Sequence, residues 1–295
     1  MLMRVAPIVF VLLWSTGFIG SKLGAEDAEP FTFLSVRFLL TLALLVPVAL
    51  IAGRGTRGWA ERGHAIVVGM LIHGAYLGGV FWAIRHGMPA GVSALIVSLQ
   101  PVLTSLLAAP LLGETLRLRH WIGLALGFTG ALLICAPGLR DVVAGGQGIT
   151  PATLTAVILA LLGITAGTLY QKRFATGADL LAGTIWQYVG AVALIGAGAF
   201  LFETREIHWT PKFVFALSWL VLVLSIGAIT LLMLLIRQNA VASVSGLFFL
   251  VPAVTSLIAW FMFGETLNAT QLSGLVLATL AVLMISGVRL RRTPA

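Results

Sequence analysis

Long apolar stretches separated by short polar links make up most of the chain. About 20 consecutive apolar residues form a helix that crosses a bilayer, so ten such stretches predict ten membrane-spanning helices. Helices are expected because backbone in lipid must satisfy its own hydrogen bonds, and no alternating barrel pattern is present. The predicted spans are Val5–Gly24, Phe31–Ala52, Ala65–Ile84, Val92–Leu112, Trp121–Ala136, Ala152–Gln171, Leu181–Phe202, Phe213–Ile236, Val241–Phe263 and Gln271–Val288.

The stretch from Ala83 to Ile134 recurs from Leu234 to Ile285, which indicates an internal duplication. From the prolines onward, LQPVLTSLLAAPLLGETL and LVPAVTSLIAWFMFGETL align without gaps at an offset of 151 (252 − 101). The first span also has a counterpart. Gly17 and Lys22 of WSTGFIGSK match Gly167 and Lys172, in and just after the sixth predicted span, at an offset of 150 (172 − 22). An apolar stretch that follows Arg4 near the N-terminus resembles a signal peptide. Because it has a repeat partner, we expect the first span to stay in the protein as a membrane helix.

Each half contains five predicted spans, and an odd number reverses the direction in which the second half enters the membrane. The sequence therefore predicts an all-α integral membrane protein of ten transmembrane helices, arranged as two inverted five-helix repeats. The first repeat is expected at residues 1–136 and the second at 152–295. Glycines mark the stretch 137–151 as a flexible connecting loop.

The composition supports a membrane protein, with 59% hydrophobic and only 9% charged residues. Soluble domains have about a quarter of their residues charged. The net charge of +8 does not indicate nucleic-acid binding, because the basic residues are distributed between apolar runs along the chain and form no basic patch. A single cysteine, Cys135, excludes an intramolecular disulfide and a metal site made of cysteines alone.

The basic residues predict the orientation, because cytoplasmic loops are enriched in Lys and Arg. An N-terminus in the cytoplasm places most of the 18 Lys and Arg residues inside and only four outside. Both termini are therefore expected in the cytoplasm. The four outer residues would be Arg85, Arg140, Arg205 and Lys212.

The paired proline and Gly-Glu motifs, with WSTGFIGSK in support, resemble the EamA family of the drug/metabolite transporter superfamily over nearly the whole chain. The resemblance implies export of small metabolites, amino acids or amphipathic compounds through a central cavity. It also implies a bacterial-type inner membrane. The tryptophan-bearing first span and the polar–aromatic third span look most like the aromatic amino-acid exporters. The motif is asymmetric, because Leu99-Gln100 in one copy corresponds to Leu250-Val251 in the other.

Pro101 and Pro252 lie inside the fourth and ninth spans and are predicted to act as hinges. Proline lacks an N–H, so the carbonyl four residues earlier loses its partner and the helix can kink. Interrupted helices at matching positions of inverted repeats point to a binding site at the middle of the membrane. The alternative is a packing kink without ligand contact. Glu114 and Glu265 are interpreted as acceptors that fix the turn before the next helix.

Polar and aromatic residues inside the spans are the candidates for substrate binding, since such residues are scarce and costly in lipid. His73 and Tyr76 are expected on one face of the third span. For each candidate the alternative is packing or an interhelical hydrogen bond. The predicted substrate-binding residues are Trp14, Ser15, His73, Tyr76, Trp82, Ser93, Ser98, Gln100, Thr165, Ser245 and Phe249.

Lys22 and Arg37 lie near the predicted outer ends of the first two spans. Their long side chains can reach the membrane surface, which is one interpretation. The other is a basic vestibule that attracts substrates carrying a carboxylate.

All ten Asp and Glu residues lie at span ends or in loops, so no carboxylate inside the membrane offers itself as an ion relay. No catalytic or nucleotide-binding motif is present, and we expect neither enzymatic activity nor a cofactor. The expected partners are a small-molecule substrate and the lipid bilayer, with no nucleic acid, for a monomer or homodimer. Exchange of nucleotide sugars or phosphate esters is the nearest alternative, and a membrane-embedded lipid-modifying enzyme is a further one.

Overall fold

The computed structural model describes residues 2–24, 26–55, 58–88, 90–114, 116–145, 149–177, 179–239, 241–263 and 268–286. Regular secondary structure within these residues is helical, apart from one isolated antiparallel bridge between Ala28 and Ile207. The α-helices are α1 (Leu2–Gly24), α2 (Pro30–Ile51), α3 (Trp59–Gly69), α4 (Gly78–Arg85), α5 (Ala90–Val97), α6 (Gln100–Leu112), α7 (Leu118–Gly145), α8 (Pro151–Phe174), α9 (Leu180–Phe202), α10 (Pro211–Trp219), α11 (Ile229–Gln238), α12 (Val241–Gly246), α13 (Leu250–Phe263) and α14 (Ala269–Ser286).

Seven helical segments of the described residues are long and apolar enough to cross a membrane. Three shorter apolar segments, Val5–Gly17, Val241–Thr255 and Ala269–Ile285, overlap the first, ninth and tenth predicted spans. The chain is thus an all-α protein with multiple potential spans, while the count of ten and the inverted repeats stay predictions. The seven long segments are Pro30–Ile51, Trp59–Arg85, Val92–Leu112, Leu118–Ala136, Pro151–Phe174, Leu180–Phe202 and Pro211–Gln238.

Helix starts follow local sequence signals. Pro30, Pro151 and Pro211 begin α2, α8 and α10, where the missing N–H of proline costs no hydrogen bond. The Asp179 carboxylate accepts hydrogen bonds from the N–H groups of Leu181 and Ala182, both at 3.1 Å, at the start of α9. Local chemistry therefore explains where these spans begin.

Two of the long helices contain π-helical segments at matching positions. Met70–Leu77 joins α3 to α4, and Leu220–Ala228 joins α10 to α11. His73 and Ser225 lie in these segments at an offset of 152 (225 − 73), the same offset that relates Ile84 to Ile236. π-Helical segments are rare and occur frequently at functional sites.

The helices are also interrupted just before both predicted hinge prolines. In the first half α5 ends at Val97 and α6, with Pro101 as its second residue, begins at Gln100. In the second half α12 is followed by a 3₁₀ turn, Leu247–Phe249, before Pro252 in α13. The interruptions are thus present in both halves, and the hinge role of the prolines stays a prediction.

The helix α7 continues to Gly145, so the backbone is helical well into the stretch 137–151 that was expected to be a loop. Single proline and glycine residues lower helix propensity without forbidding a helix, and this explains the difference. The extension of α7 does not affect the division of the chain into two repeats, which stays a prediction.

Carboxylates and a lysine connect the ends of helices that are distant in sequence. Glu114 accepts hydrogen bonds from the N–H groups of Val241 (2.7 Å) and Ala242 (3.3 Å), so it caps α12. Glu114 was expected to fix the turn before α7, but its carboxylate oxygens accept hydrogen bonds from the second half of the chain. Glu265, for which the same role was expected, lies outside the described residues. The Lys172 ammonium donates to the Ile236 and Asn239 carbonyls at 2.9 and 2.8 Å. We call the end of the bundle that contains Glu114 and Lys172 the predicted cytoplasmic end.

Similar contacts join the loops at the opposite, predicted outer end. Glu203 accepts hydrogen bonds from the N–H groups of Phe31 (2.8 Å) and Thr32 (2.6 Å) at the start of α2. Glu29 in turn accepts from the N–H and the hydroxyl of Thr204, at 2.7 and 2.8 Å. Loops that were predicted to lie on one side of the membrane therefore lie together.

Candidate functional site

A close crossing of α3 and α9 holds the centre of the candidate site. A Cβ atom on Gly69 would lie 1.8 Å from the Gln187 carbonyl oxygen, and one on Gly190 would lie 2.3 Å from the Ile66 carbonyl oxygen. Only glycine allows two helix backbones to approach this closely. The crossing brings the start of the first π-helical segment against Gln187 and Tyr188 on α9.

Six buried polar and aromatic side chains form what we call the central cluster: Arg37, His73, Tyr76, Gln187, Tyr188 and Ser225. They come from α2, α9 and the two π-helical segments. Each is at most 4% exposed. Polar groups at such depth require partners, and their partners define what the cluster can do.

His73 packs between two elements of the cluster. Its ring stacks on Tyr188 with centroids 4.8 Å apart, and its Nε2 lies 3.4 Å from Gln187 Oε1. The Gln187 amide donates onward to Gln171 Oε1 at 3.1 Å. His73 therefore belongs to a series of polar contacts between helices. This arrangement agrees with the alternative given above for His73, an interhelical hydrogen bond.

Arg37 lies inside the bundle and not at its rim. Its side chain begins about 10 Å along α2 from Pro30, seven residues at 1.5 Å each, and it is only 3% exposed. The Nε group donates to the Ser225 hydroxyl at 2.9 Å, and Tyr188 donates its hydroxyl proton to the Ser225 carbonyl at 2.7 Å. The interpretation as a residue that reaches the membrane surface is wrong, because tertiary packing encloses the side chain.

Trp14 belongs to an aromatic group beside the central cluster. Its ring lies 5.3 Å from that of Phe10 and 5.4 Å from that of Phe248, the latter edge to face. The Trp14 side chain also lies close to the Tyr76 hydroxyl. Tyr76 thus links an apolar aromatic surface to the polar cluster, an arrangement suited to a ligand with one polar and one apolar end.

Ser15, beside Trp14, connects α1 to the interrupted ninth span. Its hydroxyl lies 2.7 Å from the Val11 carbonyl and 3.3 Å from the Val251 carbonyl, next to Pro252. The Thr255 hydroxyl donates to the Ser15 carbonyl at 3.4 Å. Ser15 is fully buried, and its role in the structure is an interhelical contact.

Gln100 and Ser245 form a second polar contact at the interrupted helices. The Gln100 amide donates to the Thr104 hydroxyl at 3.0 Å and to the Ser245 hydroxyl at 3.2 Å. This contact joins α6 to α12. Three buried oxygens in this region have no hydrogen-bond partner among the described residues: Ser93 Oγ, Gln100 Oε1 and Ser105 Oγ.

The other predicted residues are not brought together with the central cluster. Trp82 stacks on His86 at 3.9 Å near the end of α4. The hydroxyls of Ser98 and Thr165 donate to carbonyls three and four residues earlier in the chain, those of Leu95 and Leu161. Phe249 is buried against Gly127. The Lys22 side chain lies outside what the structure describes.

Four residues of the site were missed by sequence reasoning, namely Gln171, Gln187, Tyr188 and Ser225. The glutamines and Tyr188 are polar groups within apolar spans, and this signal could have identified them. Ser225 matches His73 at the repeat offset, which is a second usable signal.

Comparison with known proteins identifies the family. The sequence model described as the EamA-like transporter family matches residues 4–136 and again residues 151–287. The chain belongs to this family. The resemblance stated from the proline and Gly-Glu motifs is thereby confirmed, and this EamA-like chain is a membrane transporter.

Similar proteins include several transporters of bacteria. The EamA-like chain is 24% identical to the inner membrane transporter YedA of Escherichia coli K12 over 95% of its length and 89% of the relative. It is 28% identical to the transporter YvbV of Bacillus subtilis, with 94% and 88% covered. It is 25% identical to a probable amino-acid metabolite efflux pump of Salmonella typhimurium, with 97% and 95% covered.

A protein of known crystal structure shares the fold of this EamA-like transporter. The two superpose with a TM-score of 0.78 at 19% sequence identity, and the similarity covers 98% of each chain. At this identity the likeness establishes the fold alone.

Proposed function

We propose that the chain is a secondary transporter of the bacterial-type inner membrane. It exports small metabolites, namely amino acids with aromatic or apolar side chains and amphipathic compounds. Transport proceeds by alternating access between two inverted five-helix repeats, at residues 1–136 and 152–295, with both termini in the cytoplasm.

The observation that carries this proposal is the matched pair of irregular helices in the two halves. The described residues of each half contain a π-helical segment and a proline interruption, and the central cluster includes residues from both π-helical segments. Discontinuous helices at equivalent places in two repeats are the arrangement by which transporters form a site between their halves. Trp14, Tyr76 and the neighbouring aromatic rings supply the apolar surface for the ligand.

The relatives support the direction and the substrates of the proposal. One is named a probable amino-acid metabolite efflux pump, and another an inner membrane transporter. Both are covered over most of their length.

The proposal is tested by flux into proteoliposomes that contain the purified chain. Labelled amino acids and lipophilic cations are offered one at a time, with empty liposomes as the blank. We expect uptake of aromatic or apolar amino acids above the blank, and loss of that uptake in Trp14→Ala and Tyr76→Ala. The matched control is Trp209→Ala, an exposed aromatic residue outside the site. Absence of flux for every compound would refute the proposal.

A further inference from the structure

Arg37 is a buried cation without an anionic partner in the described part of the chain. Ion pairs found there join Arg54 to Asp179 and Lys212 to Glu26, at the ends of the bundle. The sequence places all ten Asp and Glu residues at span ends or in loops. No carboxylate of this chain is therefore expected at the depth of Arg37.

The contacts of Arg37 satisfy only part of its guanidinium. A guanidinium carries five N–H donors, and Nε donates to Ser225. Among the described residues no other hydrogen bond of Arg37 is found. The Phe38 ring, with its centroid 5.8 Å from Cζ, lies near the limit of a cation–π contact and does not neutralise the charge. A charge retained inside a membrane protein at this cost marks a functional site.

The occupied Nε leaves the two Nη groups as donors for a ligand. Paired N–H groups of arginine match the two oxygens of a carboxylate. Tyr76 and Tyr188 are buried in the same central cluster as the guanidinium. Tyr188 donates its hydroxyl proton to the Ser225 carbonyl, whereas no hydrogen bond donated by the Tyr76 hydroxyl is found among the described residues, so that this proton is available to a ligand.

We propose that Arg37 binds the carboxylate of the ligand and that the ligands are small organic monocarboxylates with an aromatic or apolar group. This inference rests on the proposed transport function. The carboxylate lies between the Arg37 Nη groups and the Tyr76 hydroxyl, and the apolar group lies against Trp14, Phe10 and Phe248. An amino group on the ligand is not required, because the cluster contains no carboxylate to hold an ammonium.

The charge of the cluster distinguishes a carboxylate from a phosphate ester. A phosphate monoester carries close to two negative charges at neutral pH. The central cluster provides one permanent cation, so a single carboxylate balances it and a phosphate ester leaves excess negative charge buried.

Binding is measured on the full chain in detergent by quenching of tryptophan fluorescence, and flux is measured in proteoliposomes. The probes are phenylalanine, N-acetylphenylalanine, its uncharged amide N-acetylphenylalaninamide, and phenyl phosphate. We expect the two carboxylates to bind at least about 10-fold more tightly than the amide, the low end for a hydrogen bond to a charged group. Equal binding of acid and amide by the unmodified chain, or tighter binding of phenyl phosphate, would overturn the assignment without any variant.

Variants separate recognition of the carboxylate from support of the fold. Arg37→Gln is expected to reduce the preference for acid over amide to about 1, while binding of the amide changes less than about 3-fold. Arg37→Lys is expected to retain part of the preference, and Arg85→Gln, whose side chain is exposed, all of it. An equal loss of acid and amide binding in a folded Arg37→Gln chain would assign Arg37 to structure alone.

The two readouts also separate this inference from the proposed function. Flux of acid and amide at equal rates would leave the transporter intact and refute the carboxylate site. A carboxylate preference in binding, without flux of any probe, would retain the site and refute transport.

Discussion

The close crossing of α3 and α9 makes Gly69 the position where the smallest substitution has the largest predicted effect. In Gly69→Ala the new Cβ would lie 1.8 Å from the Gln187 carbonyl oxygen, whereas an ordinary contact begins at 3.4 Å. The two helices must therefore separate locally by about 1.6 Å (3.4 − 1.8). Overpacking of this kind costs about 1–3 kcal/mol of stability.

The same separation moves Gln187 away from His73. The distance between His73 Nε2 and Gln187 Oε1 is already 3.4 Å, so even a small displacement breaks this contact. We therefore expect Gly69→Ala to lower both the thermal stability and the ligand affinity of the detergent-purified chain.

Gly196→Ala is the matched control on α9. Its Cβ would meet no atom closer than 4.0 Å, and alanine favours a helix over glycine by about 1 kcal/mol. We expect this variant to be neutral or slightly stabilised in the same unfolding assay. Equal stability of Gly69→Ala and Gly196→Ala would show that the close crossing does not hold the site.

Three further predictions concern the ends of the helices and the prolines. Glu114→Ala removes the cap of α12 and should cost about 0.5–2 kcal/mol, read as faster hydrogen exchange at Val241 and Ala242; unchanged exchange would refute the cap. Hydrogen bonds from Thr204 hold the pKa of Glu29 below its ordinary 4.5. The ionised Glu29 should therefore contribute its full stabilisation of the fold above about pH 4.5, and this contribution should decline as the pH falls through the lowered pKa. Glu29→Gln should remove this decline of stability at acid pH, and an unchanged decline would contradict the prediction. Pro101→Ala and Pro252→Ala should shift the balance of inward-open and outward-open forms in opposite senses; spin-label distances across each end measure this, and shifts in one direction would contradict it.

The positions of the helices could be predicted from the sequence because apolar length and proline act locally. The stretch from Phe31 to Ala52, for example, corresponds to α2 at Pro30–Ile51. Both helix interruptions also lie just before the predicted hinge prolines. The π-helical segments could not be predicted, because MLIHGAYL has the same apolar character as an ordinary α-helical span.

The composition of the site was harder to predict because its contacts join residues distant in sequence. From the sequence alone, Arg37 is compatible with a side chain at the membrane surface. Its enclosure follows from packing against Ser225, which in turn accepts a hydrogen bond from Tyr188. Glu114 likewise has a carboxylate suited to a helix N-terminus. Its sequence position suggests the next helix, whereas the fold presents it to α12. Long-range partners of this kind depend on how the helices pack.

Solute counterflow tests the central claim, alternating access through one site, most directly. Proteoliposomes are loaded with unlabelled phenylalanine and diluted into a trace of labelled phenylalanine. A site that faces one side at a time exchanges inner for outer molecules, so the label should accumulate transiently above its external concentration. Entry of label that only approaches the external concentration, with the same time course in loaded and unloaded vesicles, would indicate a channel and contradict the account.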